Sequence, residues 1–230
     1  MTLLDIGNTF TRIVCGKESR IVPTAELCPA DIPPGKAAAC CVVPAVKERL
    51  KECDIFWLSA ANAGNFVDFT QVDTSTTGAD RVANAVALAA LYPLPAVCVD
   101  CGTAVTLEIV DENRVFRGGA IAPGRKLMRQ ALSKGTAQLP DIPLLSQIPS
   151  AAGVDTASSI AFGIDRGVIG LVRELLLCAA AQFGNNGKIT VVFTGGDAAW
   201  FSPHFPESFP AAADFTLQGL KKVTDEITEK

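Results

Sequence analysis

The sequence of 230 residues contains a single histidine and no excess of positive charge. That histidine, His204, lies in the proline-rich stretch SPHFPESFP, which is typical of a loop. Catalytic triads and Cys-His pairs need a positioned base, so hydrolytic chemistry of that kind is not expected. Lys and Arg number 20 against 24 Asp and Glu, so we expect no basic surface and no nucleic-acid partner.

Long hydrophobic runs are also missing. No stretch of ~18 uncharged apolar residues occurs, and no basic segment with an apolar core precedes Asp5. We therefore expect a cytoplasmic protein without a membrane partner. In such a chain the eight cysteines are expected to be free thiols. Cys98 and Cys101 lie three apart in a predicted strand, where they point to opposite faces and do not form a zinc pair.

The sequence is rich in apolar residues, and its predicted strands and helices alternate along the chain. Apolar residues make up 49% of the chain and charged residues 19%, which excludes a disordered chain. At about 150 residues per domain, the length fits one large domain or two small ones. Strands alternate with helices, which favours two α/β domains, 1–95 and 96–230, with a cleft between them. The predicted strands include 38–44, 55–60 and 188–196, and the predicted helices are 46–53, 79–92, 125–135, 158–183 and 217–230, with an ordered loop at 140–152.

Two segments about 95 residues apart along the chain share one pattern. Leu3–Val14 and Ala96–Val110 each contain an apolar run that ends in an acid, a turn with glycine, a threonine and a second β-rich run. Each predicts two strands joined by a tight hairpin, because glycine permits the sharp turn. The recurrence predicts a duplicated domain.

These hairpins are the candidate phosphate-binding elements. The patterns GxxxxGK[ST] and GxGxxG are both absent. The turns at 7–9 and 102–103 offer backbone N–H groups and hydroxyls to phosphate oxygens. Asp5 and Asp100, at the strand ends, can hold Mg²⁺ directly or through water. Either hairpin alone equally fits an ordinary Asp-containing turn, but both together with a later TGG turn favour a nucleotide site.

The order of motifs resembles that of the type III pantothenate kinases, relatives of acetate and sugar kinases, heat-shock chaperones and actin. GADR, DCGTAVT and GGAIAPG together are highly specific, whereas DIGNT or TGG alone would indicate only the wider superfamily. CCVVP stands where the family often has SSVVP. The matching segments are DIGNT at 5–9, CCVVP at 40–44, GADR at 78–81, DCGTAVT at 100–106, GGAIAPG at 118–124, TAQLP at 136–140, TGG at 194–196 and TLQGL at 216–220.

The resemblance implies two duplicated ribonuclease H-like α/β domains with an interdomain cleft. It also implies ATP-dependent phosphorylation of the terminal hydroxyl of pantothenate, the first step of coenzyme A biosynthesis. Asp80 is then the candidate proton acceptor, at the start of a helix whose dipole keeps a carboxylate ionised; simple capping is the alternative. Arg81 would bind the pantothenate carboxylate or transition-state charge, and a surface ion pair is its alternative.

The resemblance also assigns further site residues, cofactors and a partner chain. Mg²⁺ would enter with ATP, with Asp5 as a candidate ligand, and Asp100 would bind a monovalent cation, K⁺ or NH₄⁺. Pantothenate would contact Gly78, Ala79, Asp80, Arg81 and, from a neighbouring subunit, Thr156. ATP would contact Asp5, Ile6, Gly7, Asn8, Thr9, Thr11, Arg12, Thr103, Gly195 and Gly196.

Some features depart from the family or leave alternatives open. Gln71 and Thr74 stand near positions where the family often has Pro and Tyr, so Phe66 or Phe69 is expected to form the pocket wall instead. A homodimer is expected from the long apolar helix 158–183, for which a central core helix is the alternative. Two other functions are a non-catalytic relative that regulates transcription and a sugar or acetate kinase. Sugar kinases of the ROK group usually carry a clustered Cys/His zinc motif, which a chain with one histidine and no clustered cysteine ligands cannot build, and acetate kinases are considerably longer.

Overall fold

The computed structural model describes residues 1–183, 188–210 and 214–228. The chain divides into two compact units. Unit 1 comprises Met1–Ala96, Glu108–Gly118 and Asp214–Lys230, and unit 2 comprises Val97–Leu107 and Gly119–Ala213. The C-terminal segment therefore belongs to the same compact unit as the N-terminal one, whereas the predicted domain boundary at 95/96 stays a prediction.

The first sheet has five strands in the order β3-β2-β1-β4-β5. The pairs β1–β2 and β2–β3 are antiparallel, and β1–β4 and β4–β5 are parallel. Leu4, Ile6 and Ile13 alternate along β1 and β2 and are buried on one face, where they contribute to the core of unit 1. The strands are β1 (Thr2–Ile6), β2 (Phe10–Cys15), β3 (Glu18–Pro23), β4 (Ala37–Cys41) and β5 (Ile55–Trp57).

The second sheet also has five strands, in the order β10-β9-β6-β7-β8. β6 carries a run of buried apolar residues that ends next to Asp100, as expected for a strand covered on both faces. Its strands are β6 (Ala96–Cys101), β7 (Ala104–Val110), β8 (Phe116–Pro123), β9 (Thr190–Thr194) and β10 (Phe209–Pro210).

Six α-helices and three short 3₁₀ helices accompany the strands within the described residues. In unit 1, α2 is alanine-rich and buried over most of its length, and it packs against α6, whose Leu217, Leu220 and Val223 are buried. The α-helices are α1 (Pro44–Arg49), α2 (Ala79–Leu91), α3 (Arg125–Gly135), α4 (Thr156–Ala180), α5 (Ala198–Phe201) and α6 (Phe215–Thr228), and short 3₁₀ helices span Pro29–Asp31, Ala60–Asn62 and Ser202–His204. Within the described residues, no helix is both long and apolar enough to cross a membrane.

The predicted alternation of strands and helices is confirmed, with shifted boundaries. α4 begins at Thr156, two residues before its predicted start, because the Asp155 carboxylate accepts a hydrogen bond from the Ser158 N–H at 2.8 Å and caps the helix. Strands β3 and β8 were not predicted, because β3 is largely exposed and β8 contains two glycines. The terminal helix begins at Phe215, and residues 229–230 of the prediction lie outside the described residues.

Candidate active site

The first predicted phosphate turn, residues 7–9, joins β1 to β2. The Gly7 N–H donates to the Phe10 carbonyl at 3.1 Å, which closes the turn. Thr24 stabilises the turn with two hydrogen bonds. Its hydroxyl donates to the Gly7 carbonyl at 2.7 Å, and its N–H donates to the Thr9 carbonyl at 3.0 Å. Asn8 and Thr9 are exposed. The turn is therefore fixed from within unit 1 while its outer side faces solvent, and Thr24 was not among the predicted site residues.

Two predicted ATP-binding residues face the core instead. Ile6 is buried, and the buried hydroxyl of Thr11 lies 3.0 Å from that of Thr24. Asp5 and Arg12 are half-buried and pair in register on β1 and β2, so they share the opposite face of the sheet. On that face Asp5 and Arg12 present charged groups, whereas Ile6 and Thr11 can offer a ligand only their main chain.

Asp5 of the first hairpin and the helix that carries the GADR segment both adjoin β4. Asp5 pairs with Cys40 in the parallel ladder, so their side chains share one face. Burial raises the pKa of the Cys40 thiol well above its usual value, and the negative charges of Asp5 and Asp80 raise it further. Asp5 and Asp80 both belong to unit 1. The start of α2 lies next to the end of β4, because a Cβ on Gly78 would lie 3.5 Å from Val42 Cγ1.

Asp80 is the second residue of α2, directly after the helix start predicted from the sequence. Its Oδ1 accepts a hydrogen bond from the Arg81 N–H at 2.7 Å. Burial raises the pKa of Asp80, and this effect outweighs the lowering by the Arg81 hydrogen bond and charge. A helix start alone would favour the ionised form, but here desolvation is stronger. A carboxylate with a raised pKa is a better proton acceptor than an ordinary one.

Gly78 precedes α2 and leaves room for this carboxylate. A Cβ at position 78 would lie 2.6 Å from Asp80 Oδ1, inside van der Waals contact. Any other residue would displace the carboxylate or the helix start, so the glycine of GADR has a steric role. Ala79, between them, is buried.

Arg81 is held by a chain of buried polar groups. Its Nε donates to Glu108 Oε1 at 2.9 Å, and the guanidinium lies 5.8 Å from the centre of the Phe116 ring. Glu108 is fully buried and also accepts from the Asn84 amide at 3.4 Å, while the Thr216 hydroxyl donates to Asn84 Oδ1 at 2.8 Å. The Arg81–Glu108 pair is therefore not the surface ion pair that the sequence left open as an alternative. The buried Glu108 carboxylate fixes the orientation of the Arg81 guanidinium.

The residues expected to wall the pocket divide into two kinds. Phe69 is buried, and its ring centre lies 5.3 Å from that of Phe116, the ring beneath Arg81. Gln71 accepts a hydrogen bond from Arg117, and Thr74 is exposed. Of the two candidate phenylalanines, Phe69 packs against the Phe116 ring that contacts Arg81. Phe66 is half-buried.

The second predicted phosphate turn lies in unit 2, between β6 and β7. The Gly102 N–H donates to the Ala104 carbonyl at 2.9 Å, and Thr103 is exposed. Gly195 has a φ of +90°, and a Cβ there would lie 2.6 Å from the Cys101 carbonyl oxygen and collide with the Asp100 carboxylate. The TGG turn is therefore packed directly on the end of β6. The structure brings Asp100, Thr103 and the TGG turn together.

Thr156 also belongs to unit 2, where it is the first residue of α4. It lines a cavity of about 590 Å³ together with Gly153, Asp155, Ser159 and Ile160. The predicted site residues are thus divided between the units, with Asp5, Asp80 and Arg81 in unit 1 and Asp100, Thr103, Thr156 and Gly195 in unit 2. The prediction that the two sets line one cleft stays a prediction.

The carboxylates of Asp5 and Asp100 suit a cation that takes its remaining ligands from water and substrate phosphates. Among the residues that the structure describes, no group of three or more His, Cys, Asp or Glu side chains forms a complete metal site. Mg²⁺ in phosphoryl-transfer sites usually takes one or two carboxylates plus water and substrate phosphates. Asp5 in unit 1 and Asp100, beside a glycine turn in unit 2, each offer a carboxylate of that kind.

Comparison with known proteins identifies the family. The family model of type III pantothenate kinases matches residues 26–177. A type III pantothenate kinase of Akkermansia muciniphila is 34% identical over 237 residues, which cover 95% of this chain and 96% of that relative.

Solved structures share the fold. A protein of Campylobacter jejuni named as a Baf family transcriptional activator has a TM-score of 0.74 at 21% identity, with both chains covered completely. A protein of Sinorhizobium meliloti named as a 2-dehydro-3-deoxygalactonokinase has a TM-score of 0.60 at 13% identity, with 98% of each chain covered. At these identities the likeness shows the fold alone, and it confirms the predicted class of duplicated ribonuclease H-like α/β domains. With the family model and the Akkermansia relative, the sequence and this fold place the chain in the type III pantothenate kinase family.

Proposed function

We propose that this protein transfers the γ-phosphoryl group of ATP to the terminal hydroxyl of pantothenate, in the cytoplasm, as the first step of coenzyme A biosynthesis. The new bond joins the hydroxyl oxygen to the γ-phosphorus, the bond from that phosphorus to the bridging oxygen of ADP breaks, and the hydroxyl proton moves to a base. Membership of the family supports this reaction. The structural observation that carries it is the Asp80 carboxylate at the start of α2, which accepts a hydrogen bond from the Arg81 N–H and lies against Gly78.

Asp80 is the proposed base. Phosphoryl transfer needs little covalent chemistry from the protein, but it needs a group that accepts the proton of the attacking hydroxyl. Burial raises the pKa of Asp80, which strengthens it as an acceptor while the Arg81 hydrogen bond holds one of its oxygens. Pantothenate would lie against Gly78, Ala79 and Asp80 at the start of α2.

Arg81 is proposed to bind the carboxylate of pantothenate. A guanidinium presents a planar fork of donors that fits a carboxylate. In unit 1 this fork is fixed before any ligand arrives, because the buried Glu108 accepts from its Nε. A preoriented arginine loses less conformational freedom on binding, so the pair favours substrate affinity.

The two turns and the TGG segment are proposed to bind the nucleotide. Asp5, residues 7–9 and Arg12 would surround the phosphates from unit 1, with Ile6 and Thr11 contributing main-chain groups, and Thr103 would contact them from unit 2. Gly195 and Gly196 would adjoin the adenosine. Mg²⁺ bound with ATP would neutralise the developing phosphate charge, with Asp5 as its protein ligand, and Asp100 would hold K⁺ or NH₄⁺.

A homodimer with a shared active site is also proposed. The first turn of α4 is exposed around Thr156, next to Val154, which is 97% exposed, and Leu177 near the other end of the helix is 61% exposed. The cavity beside Thr156 is lined mostly by apolar and small residues. A surface of this kind fits a second copy of the chain, which would bring Thr156 to the pantothenate of its partner.

Replacement of the base should abolish turnover. Asp80→Asn keeps the shape and the hydrogen bond from Arg81 but cannot take a proton, so we expect kcat to fall by about 10² to 10⁴-fold. Because the pKa of Asp80 is raised, the wild-type rate should increase with pH as this carboxylate ionises, and the variant should lack that rise. A coupled ADP-release assay with ATP, pantothenate, Mg²⁺ and K⁺ measures both. The control is Asp73→Asn, an exposed acid of the preceding segment; a variant of Asp80 with the wild-type kcat would contradict the assignment.

Loss of the charge that orients Arg81 should weaken pantothenate binding selectively. Glu108→Gln preserves volume but removes the charge assistance, so we expect the KM for pantothenate to rise about tenfold while the KM for ATP stays within about twofold. The matched control is Glu112→Gln, an exposed acid just after β7. Equal changes in both KM values, or none, would argue against a role of Glu108 in holding Arg81 for substrate.

The shared site can be tested by complementation. Light scattering after size exclusion should give the mass of two chains, and Thr156→Arg, which places a bulky charge at an exposed position, should be inactive in pantothenate turnover. In an equal mixture of Asp80→Asn and Thr156→Arg chains, half of the dimers are mixed and each has one intact site, so we expect about a quarter of the wild-type activity. A monomeric wild-type protein, or a mixture no more active than its parts, would contradict the shared site.

A further inference from the structure

α3 begins with a buried arginine beside the second phosphate turn. The Gly124 N–H donates to the Thr103 carbonyl at 3.0 Å, and Arg125 follows directly as the first residue of the helix. Only 2% of the Arg125 side chain is exposed. Arginine is rarely buried unless it is paired, so its partners indicate what this position is for.

Arg125 belongs to a group of four charged side chains in unit 2, Arg125, Arg129, Asp165 and Asp197, here named the arginine cluster. Arg125 Nε donates to Asp165 Oδ1 at 3.0 Å, and Arg129 Nη2 donates to the same oxygen at 2.9 Å. Both arginines and Asp165 are almost completely buried. Two cations on one buried carboxylate leave a positive charge without compensation, which is unfavourable in a desolvated site.

Asp197 supplies the balancing charge. Its Oδ2 lies 3.8 Å from Arg125 Nη1, and its side chain is 25% exposed. The Arg125 guanidinium also lies 3.5 Å from the centre of the Trp200 ring, and its Nη2 donates to the Leu145 carbonyl at 2.7 Å. Asp197 and Trp200 both belong to the segment that follows β9. Arg125 therefore joins the start of α3 to that segment, whereas Arg129 donates to Asp165 and to the Arg125 carbonyl.

Asp197 continues the glycine turn that the proposed function assigns to the adenosine. Its N–H donates to the Cys101 carbonyl at 2.9 Å, so the turn is tied to the end of β6 by its main chain and to α3 by its side chain. Gly195 packs on the end of β6, and the contacts of Asp197, the residue after the two glycines, add a second attachment for the turn. Burial raises the pKa of Asp197; among the charges that act on it, the lowering by Arg125 is the largest effect and the lowering by Arg129 the smallest.

We propose that Arg125 is a positioning residue for the nucleotide: by holding Asp197 it fixes the turn at Gly195–Gly196, and it thereby sets the affinity for ATP but not for pantothenate. This inference rests on the proposed function, which assigns the turn to the adenosine. Arg125 does not itself contact the reacting atoms in this account. It acts through Asp197, as a supporting group acts on a binding group.

Four variants test the inference: Asp197→Asn, Arg125→Met, Arg125→Lys and, as matched control, Arg129→Met. We expect the KM for ATP and the Kd for ADP, measured by calorimetry, to rise about 5- to 30-fold in Asp197→Asn and Arg125→Met, with a smaller rise in Arg125→Lys, which retains the charge. The KM for pantothenate should stay within about twofold in all four. Arg129→Met removes a buried cation from the same carboxylate, so it should lower the Tm while leaving nucleotide affinity within about twofold of wild type.

The outcomes separate the inference from the proposed function. Nucleotide affinity that falls as much in Arg129→Met as in Arg125→Met, or a wild-type affinity in Asp197→Asn, would overturn the positioning role. If Arg125→Met does not fold, Asp197→Asn decides, because its side chain is partly exposed. A wild-type chain that binds ADP but does not phosphorylate pantothenate contradicts the proposed function, and the Kd values still decide the inference. A wild-type chain that binds no nucleotide overturns both.

Discussion

The desolvation of Asp80 is the constraint on which the rest of this account depends. A carboxylate at the start of a helix in water would be an ordinary cap with a low proton affinity. In unit 1 the same carboxylate is partly buried beside Gly78, and desolvation raises its pKa. The energy of burying a charge is thereby converted into basicity at the point where an alcohol proton must be accepted. Gly78 and the buried Ala79 serve this arrangement by fixing where the helix starts.

The two compact units carry different parts of the proposed chemistry. Unit 1 holds the proton acceptor and an arginine whose direction is set by a buried network that reaches from Thr216 on α6 through Asn84 to Glu108. Unit 2 holds the TGG turn, packed on the end of β6 and joined to α3 by the arginine cluster. In both units a binding group is held by a buried polar partner on another element. Rigid supporting contacts of this kind are what a positioning mechanism requires, because phosphoryl transfer gains most from geometry and charge.

Much of this could be predicted from short sequence patterns. Asp5 and Asp100 are the next-to-last residues of β1 and β6, as the sequence pattern predicts, and the repeated hairpin indicates the duplicated fold without any structure. Asp80 was identified at a helix start, where the dipole was expected to favour the ionised form, but burial raises its pKa instead, and burial depends on how α2 packs. Helix α4 was predicted two residues late, although Asp155 and Ser158 form a capping pattern that is visible in the sequence.

The missed residues are those whose role depends on distant partners. Glu108 stands in a β-rich run, where nothing local indicates that Arg81, 27 residues earlier, will meet it. Arg125 and Arg129 resemble the exposed charges of an amphipathic helix, and only the fold brings Asp165 to them from 40 and 36 positions away. Thr24 supports the first turn from a segment without a motif. Long-range pairing of buried polar groups leaves little local pattern, so a single sequence does not reveal it.

The proton affinity of Asp80 can be measured in the free protein. Carboxyl ¹³C chemical shifts followed by NMR over pH, with the Asp80 signal assigned from its absence in Asp80→Asn, give the pKa of this group. The account predicts a pKa above the ordinary value for an aspartate, while exposed Asp73, whose carboxylate accepts hydrogen bonds from Ser75, titrates with a lowered pKa in the same sample. A pKa of Asp80 at or below the ordinary value would contradict the account, because the buried base would then not exist.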